Sequence, residues 1–324
     1  MDRRQAMFAT AALGWLPAHA QDKFPSHDIH IVVGYPPGGV TDISARVVGD
    51  ILSKKYGQPV LVDNKPGASG VIAQQLVAKA PPDGYMLSSG GFGSNLLPPL
   101  TVEGLPLDVL KSFVPVALTA EFVNVLVIPP THPAQTVAEF IKSMKARDKP
   151  MLLGANGVGS SAHLAGALFA MRTGLKMELV NYKGSPEILI DVTNGGLDCS
   201  FANLPTAQPL LRDGRLKALA VTSSYRSKHM PELPTMDESG VPNFNVTSWL
   251  GIYAPAGTPQ PIVEQLAHDI VEGLQLPENR QRLESADLEV HPLDSAKFEA
   301  FTKQELTKWG DLVKRLNIRL KFGG

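Results

Sequence analysis

The chain has 324 residues, a formal net charge of −1, and 19% charged residues against 44% hydrophobic ones. A nearly balanced chain lacks the basic excess needed to bind nucleic acid through its phosphates, and this much apolar material excludes disorder. The single cysteine, Cys199, excludes an internal disulfide framework and a cysteine-rich metal centre.

In chain order, Arg3 and Arg4 precede an apolar run from Ala6 to Leu16, and Ala18-His19-Ala20 places small residues two apart. That is the pattern of an export signal, residues 1–20, cleaved after Ala20; the run is too short to span a bilayer core of about 30 Å. His30 to Val33 reads as a short buried strand, broken by Gly34-Tyr35-Pro36-Pro37-Gly38-Gly39. Thr41 opens a helix with Ile43, Val47, Val48, Ile51 and Leu52 on one face, and Gly57 ends it. Val60 to Val62 is the next strand. Beyond Pro66 to Gly70, a second helix carries Ile72, Leu76, Val77 and Ala80 on one face, and Tyr85 to Leu87 is a third strand. Alternation of this kind favours a parallel sheet covered by helices on both faces.

A similar series follows: strand Val125 to Ile128, a helix capped by Thr136 and Glu139, strand Met151 to Leu153, the loop Gly154 to Ser161, and a helix from Ala162 to Met171. Strand Leu179-Val180, helix Pro186 to Val192 and strands Leu197 to Phe201 and Leu219 to Val221 continue it. Val246 to Tyr253 reads as a long strand returning to the first unit. The tail is helical over Pro261 to Leu274, Glu278 to Ser285 and Ser295 to Leu316, the last with a packing stripe that includes Phe298, Trp309 and Val313. Two α/β units with a returning C-terminus predict two chain crossings and a cleft. Residues 21–122 and 246–324 form one lobe and 123–245 the other.

Few residues support catalysis. No serine has glycine two residues away on both sides, so the nucleophile elbow is missing, and Cys199 sits in an apolar run as a packing thiol. There is no phosphate-binding G-x-x-x-x-G-K-[ST], and Gly154, Gly157 and Gly159 are not in the dinucleotide order. His27 and His30, with Asp28 between them, lie at a strand start without a third metal ligand, and no cofactor or metal is expected. Ser160 beside His163 is the single nucleophile–base candidate; a helix cap or a polar ligand contact accounts for it equally.

Two loops remain, and they occupy comparable places. Pro36-Pro37-Gly38-Gly39 leads into the helix at Thr41-Asp42, and Gly157-Val158-Gly159-Ser160-Ser161 leads into the helix carrying His163. Glycines admit a ligand to backbone N–H groups, and a helix N-terminus adds partial positive charge. Turn and N-cap chemistry explains either loop alone. Together, across a cleft, they form a clamp for a small anion, with N–H donors at Gly38, Gly39, Gly159 and Ser160. Asp42 should be ionised, either holding its loop or meeting a ligand amine.

Particular residues then carry a resemblance. Ile31-Val32-Val33, Pro36-Pro37-Gly38-Gly39-x-Thr41-Asp42, Arg46 and Val62-Asp63-Asn64-Lys65-Pro66-Gly67-Ala68-x-Gly70 resemble the tripartite tricarboxylate transporter receptor family, also called Bug proteins. So do Ala80-Pro81-Pro82-Asp83-Gly84-Tyr85, Gly157 to Leu164, Tyr182-Lys183-Gly184-Ser185 and Ala254 to Pro259, in order along the chain. The resemblance implies an α/β, two-lobed periplasmic binding protein fold, type II-like, with its cleft between two doubly wound sheets joined by a two-crossing hinge. It implies a non-enzymatic, monomeric receptor that delivers a small carboxylate (a di- or tricarboxylate, an acidic amino acid or an aromatic acid) to the membrane permease subunits of a tripartite transporter. A sensor without a permease and an enzyme on the same scaffold are the alternatives. The family's ligand loops map onto Tyr35, Pro37, Gly38, Gly39, Thr41 and Asp42; onto a loop containing Ser89, Gly90 and Gly91; and onto Asn156, Gly159, Ser160, Ser161 and His163. Tyr182, Lys183 and Asn203 are neighbours.

Overall fold

The computed structural model describes residues 24–157, 159–182, 184–316, 318, 320 and 321. The segment 1–20 expected to be an export signal, Val158 and Lys183 lie outside the described residues. The elements are β1 (Ile29–Val33), α1 (Val40–Tyr56), β2 (Val60–Asn64), α2 (Val71–Ala78), β3 (Met86–Gly91), α3 (Leu97–Thr101), β4 (Val102–Glu103) and β5 (Phe113–Ile128). They continue with α4 (Val137–Lys145), β6 (Met151–Ala155), α5 (Ser161–Thr173), β7 (Met177–Asn181), α6 (Ser185–Thr193), β8 (Cys199–Asn203), α7 (Leu204–Arg212) and β9 (Lys217–Val221). The chain closes with β10 (Thr247–Pro255), α8 (Gln260–Gln275), α9 (Pro277–Glu284), α10 (Ser295–Leu316) and β11 (Leu320–Lys321).

The strands run in the order β2-β1-β3-β10-β5-β8-β6-β7, with β9 also on β5. Pairs β1–β2, β1–β3, β6–β7 and β6–β8 are parallel, as crossover helices require, whereas β10 and β5 run antiparallel to their neighbours. Strand β5 joins the halves. It pairs with β10 from Phe113 to Val123, then with β8 from Asn124 to Val127 and with β9 from Val125 to Ile128. Only its last four residues read as a strand from sequence. The remainder opens on a mainly apolar run from Phe113 to Leu118 that contains Pro115, and its polar residues Thr119, Glu121 and Asn124 do not sustain a period of two.

Gly57 ends α1 in the left-handed conformation (φ 67°), and Thr136 caps α4 by accepting from Glu139 N–H. The predicted face of α2 is wrong. Of the predicted residues only Val77 is buried: Ile72 and Leu76 are 53% and 45% exposed, Ala80 lies beyond the helix end, and Val71, Ala73 and Gln74 complete the inward face. A turn of four successive residues at positive φ, Gly67 to Gly70, aims the helix so that polar Gln74 faces inward.

One core cluster packs β1 and α1 against β10 and α8. A second, including Trp309 and Phe298 of α10, reaches from Val32 and Phe92 to Leu126, Leu164 and Phe169. The C-terminal helix is therefore core to both halves. No helix among the described residues is long and apolar enough to cross a membrane.

Candidate ligand site

At the end of β1 the backbone makes a close approach. A Cβ on Gly34 would lie 2.5 Å from Gly70 Cα, so the strand end and the Gly67–Gly70 turn meet at a position with no room for a side chain. Gly39 is the N-cap of α1, and Asp42, only 3% exposed, lies in the first turn. Its carboxylate accepts from Gly38 N–H (2.9 Å), Arg46 Nε (2.9 Å) and Nη2 (3.0 Å), and Asn64 Nδ2 (2.9 Å). Asn64 Nδ2 also donates to Tyr35 O at 3.0 Å, so the loop is wound around one anion. Burial alone would raise the Asp42 pKa, but the donors from Arg46, Gly38 and Asn64 outweigh it and hold the carboxyl below its ordinary value. The carboxylate thus holds the loop. The expectation that Gly38 N–H is open to a ligand is corrected, because Asp42 takes it.

The second helix start is built likewise. Ser160 caps α5, its Oγ accepting from His163 N–H at 3.3 Å. The His163 ring accepts Gly159 N–H at Nδ1 (2.9 Å), so its hydrogen is on Nε2, and burial lowers its pKa to about 4. Ser160 N–H donates to Gly157 O at 3.3 Å. Two further expected donors, Gly159 and Ser160, are therefore also engaged, because a short loop satisfies its own amides. Ser160 Oγ bonds the His163 backbone rather than its imidazole, so these two do not form a nucleophile–base pair. Among the described residues, the Gly39 amide, the first amides of α1 and α5, the hydroxyls of Thr41 and Ser161 and the His163 Nε2–H are helix-start groups not committed to an internal hydrogen bond.

The two starts belong to opposite halves, and their surroundings touch. Gly159 sits at φ +80°, and a Cβ there would lie 2.5 Å from Thr101 Oγ1. A Cβ on Gly157 would lie 3.1 Å from Ser69 Oγ. Thr101 and Ser69 escaped the sequence reading. The run Gly67-Ala68-Ser69-Gly70 was the available signal, since Ala68 and Ser69 both take positive φ (46° and 54°).

The segment predicted as a loop around Ser89, Gly90 and Gly91 is instead the buried end of β3. A polar network lies against it: Ser88 Oγ and Asn95 Nδ2 donate to Gln74 Oε1 (2.6 and 2.9 Å), while Gly91 N–H and Ser94 Oγ donate to Asn95 Oδ1 (3.0 and 2.7 Å). Asn156 and Asn203 line one small cavity with Ser185 and Ser200. Tyr35 is half-buried, its hydroxyl donating to Ser69 O at 3.3 Å, and Pro37 is exposed. Tyr182 commits its hydroxyl to Asp191 on α6. His30 bonds Asp63 and Asp28 (2.7 and 3.0 Å). His268, Asp269 and Glu272 on α8 converge, but Lys55 Nζ lies 3.3 Å from Asp269 and 2.9 Å from Glu272, which makes an ion-pair cluster.

The family profile for the tripartite tricarboxylate transporter family receptor matches residues 44–318. The chain belongs to that family. Protein BugT of Bordetella pertussis is 34% identical over 301 residues, 93% of this chain and 92% of the relative. Rpa4515 of R. palustris, solved with adipate, superposes with a TM-score of 0.86 at 32% identity, covering 92% of this chain and all of that one. MatC (Rpa3494) from Rhodopseudomonas palustris, solved with malate, gives 0.81 at 29% identity over 90% of this chain and 100% of that one. Family membership makes this receptor chain a two-lobed α/β solute-binding protein, its lobes sharing strand β5.

Proposed function

We propose that this receptor captures a small carboxylate in the periplasm, between a lobe of residues 21–122 and 246–324 and a lobe of residues 123–245, and hands it to membrane permease subunits. The observation that supports this reading is the pair of glycine-bearing helix starts, at α1 and α5, with the α5 loop packed against Ser69 and Thr101 of the other half. Helix N-termini favour anions, and the His163 Nε2–H, the Gly39 amide and the Thr41 and Ser161 hydroxyls supply donors without a cationic side chain. The adipate and malate held by the two relatives fit that chemistry. Pro37, Tyr35 and Asn156 flank the same helix starts; Asp42 holds the α1 loop, Ser89 Oγ donates to Thr41 O at 3.5 Å, and Gly90, Gly91 and Asn203 lie at the ends of β3 and β8. Closure is a population shift, because only the closed form offers both donor sets to one ligand.

The test is thermal unfolding of the mature chain against mono-, di- and tricarboxylates, acidic amino acids and aromatic acids. A ligand at a hundred times its Kd should stabilise by roughly 2.7 kcal/mol. Silence across every carboxylate would remove the ligand class, and failure to bind permease subunits would favour a sensor.

A further inference from the structure

Six buried side-chain polar atoms among the described residues lack a hydrogen-bond partner, and three of them are Asn124 Oδ1, Asn124 Nδ2 and Ser248 Oγ. Asn124 is 0% exposed and Ser248 3%. The Asn124 backbone, by contrast, is satisfied: its N–H donates to Thr222 Oγ1 (3.1 Å) and its carbonyl accepts from Thr222 N–H (2.9 Å). A buried carboxamide with neither end paired is costly, so a position serving packing alone would carry an apolar residue.

Both residues sit on strands that carry the chain between the halves. Asn124 is the residue at which β5 exchanges β10 for β8, and Ser248 on β10 stands opposite Phe122, diagonal to Asn124. Side chains alternate along a strand, so Phe122, Asn124 and Leu126 share a face. Phe122 packs in the cluster containing Ala45 and Val48 of α1, and Leu126 in the one containing Leu164 and Ala165 of α5. Asn124 therefore lies on the seam between the two helices whose starts form the ligand site. Across the ladder from it is Asn203, a wall of the small cavity shared with Asn156.

We propose that Asn124, with Ser248 diagonal to it, is the floor of the ligand site and selects a carboxylate that also bears a hydroxyl or ammonium group. This rests on the carboxylate-receptor reading above. The carboxamide offers a donor at Nδ2, which suits a carboxylate oxygen, and an acceptor at Oδ1, which requires a donor on the ligand. A plain dicarboxylate at neutral pH has none. A 2-hydroxy or 2-amino acid satisfies both ends, and the Ser248 hydroxyl takes either role.

The test uses matched acids of equal chain length, succinate against malate and aspartate, and adipate against 2-aminoadipate, by calorimetry on wild type, Asn124→Leu and Ser248→Ala. Wild type should bind the substituted acid at least tenfold more tightly than its plain partner. Asn124→Leu should erase that preference while melting, without ligand, at the wild-type temperature or above it; Ser248→Ala should reduce the preference. A preference that survives in Asn124→Leu overturns the assignment, as does its absence from wild type, or a fall in melting temperature with selectivity unchanged. Wild type binding none of these acids or the wider carboxylate panel would overturn the carboxylate reading itself, and this assignment with it.

Discussion

Asp42 and His163 each fix a loop by accepting a backbone N–H four residues earlier, from Gly38 and Gly159, but they answer differently to protons. Asp42→Ala strips an acceptor from Gly38, Asn64 and Arg46 together, and should cost about 2 kcal/mol in urea unfolding, since each orphaned donor costs a kcal/mol or so. His163 has a folded pKa of about 4, below the ordinary 6.5, so between those values the unfolded chain binds the extra proton. Stability from this group is complete above pH 6.5 and falls as the pH drops towards 4, by up to about 3 kcal/mol. Comparing urea unfolding at pH 7 and pH 4.5 should show a smaller loss in His163→Asn, whose side-chain oxygen can still accept the Gly159 N–H. An unchanged pH dependence would mean the imidazole is not held neutral. His30 has the opposite sign: its partner Asp63 raises the pKa against desolvation, so its contribution is present below 6.5 and lost as pH rises through the folded value.

At the scale of elements, the two glycine loops respond to substitution in different ways. Gly39 has ordinary φ (−80°), and the nearest atom to an added Cβ is Pro36 O at 3.8 Å. Gly39→Val should therefore fold with near-normal stability yet lose at least ~2 kcal/mol of ligand affinity, because the side chain blocks approach to the α1 start. Titration calorimetry at unchanged affinity would place the ligand elsewhere. Gly159→Ala faces both positive φ and Thr101, and should lose roughly 1–2 kcal/mol of stability besides affinity, readable in urea unfolding. Much of the element order was legible: the helix after Gly39, the cap at Thr136 and the three tail helices follow from spacing and capping chemistry. Helix α7 was not, because a segment with Pro205 and Pro209 lacks the sequence pattern of a helix. Pro205 occupies the first turn, where no N–H is missed, and Leu204, Ala207 and Gln208 anchor the helix in spite of Pro209. The rotation of α2 was hidden for a similar reason, since its inward face carries Gln74, a residue whose type predicts exposure.

At the scale of the whole molecule, the halves share strand β5, a core reaching into both through Trp309, the ion pair Lys228–Glu284 (2.9 Å) and the polar contact His229–Asp287 (3.2 Å). Ligand binding should lower the radius of gyration in solution scattering, because donors from both halves must converge on one small molecule. Equal radii with and without saturating ligand would mean that closure is not coupled to occupancy.

By itself the sequence determined the two α/β units, the helix starts that favour an anion and the family, because strand–helix alternation, glycine placement and capping are local and survive any arrangement of the chain. Only the tertiary structure decided which amides remain open. Whether Gly38 N–H meets Asp42, Gly159 N–H meets His163, or Asn124 is left unpaired on the shared strand depends on side chains brought together by folding. Which neighbouring amide a side chain takes, unlike a helix period or a capping box, has no fixed signature in spacing along the chain.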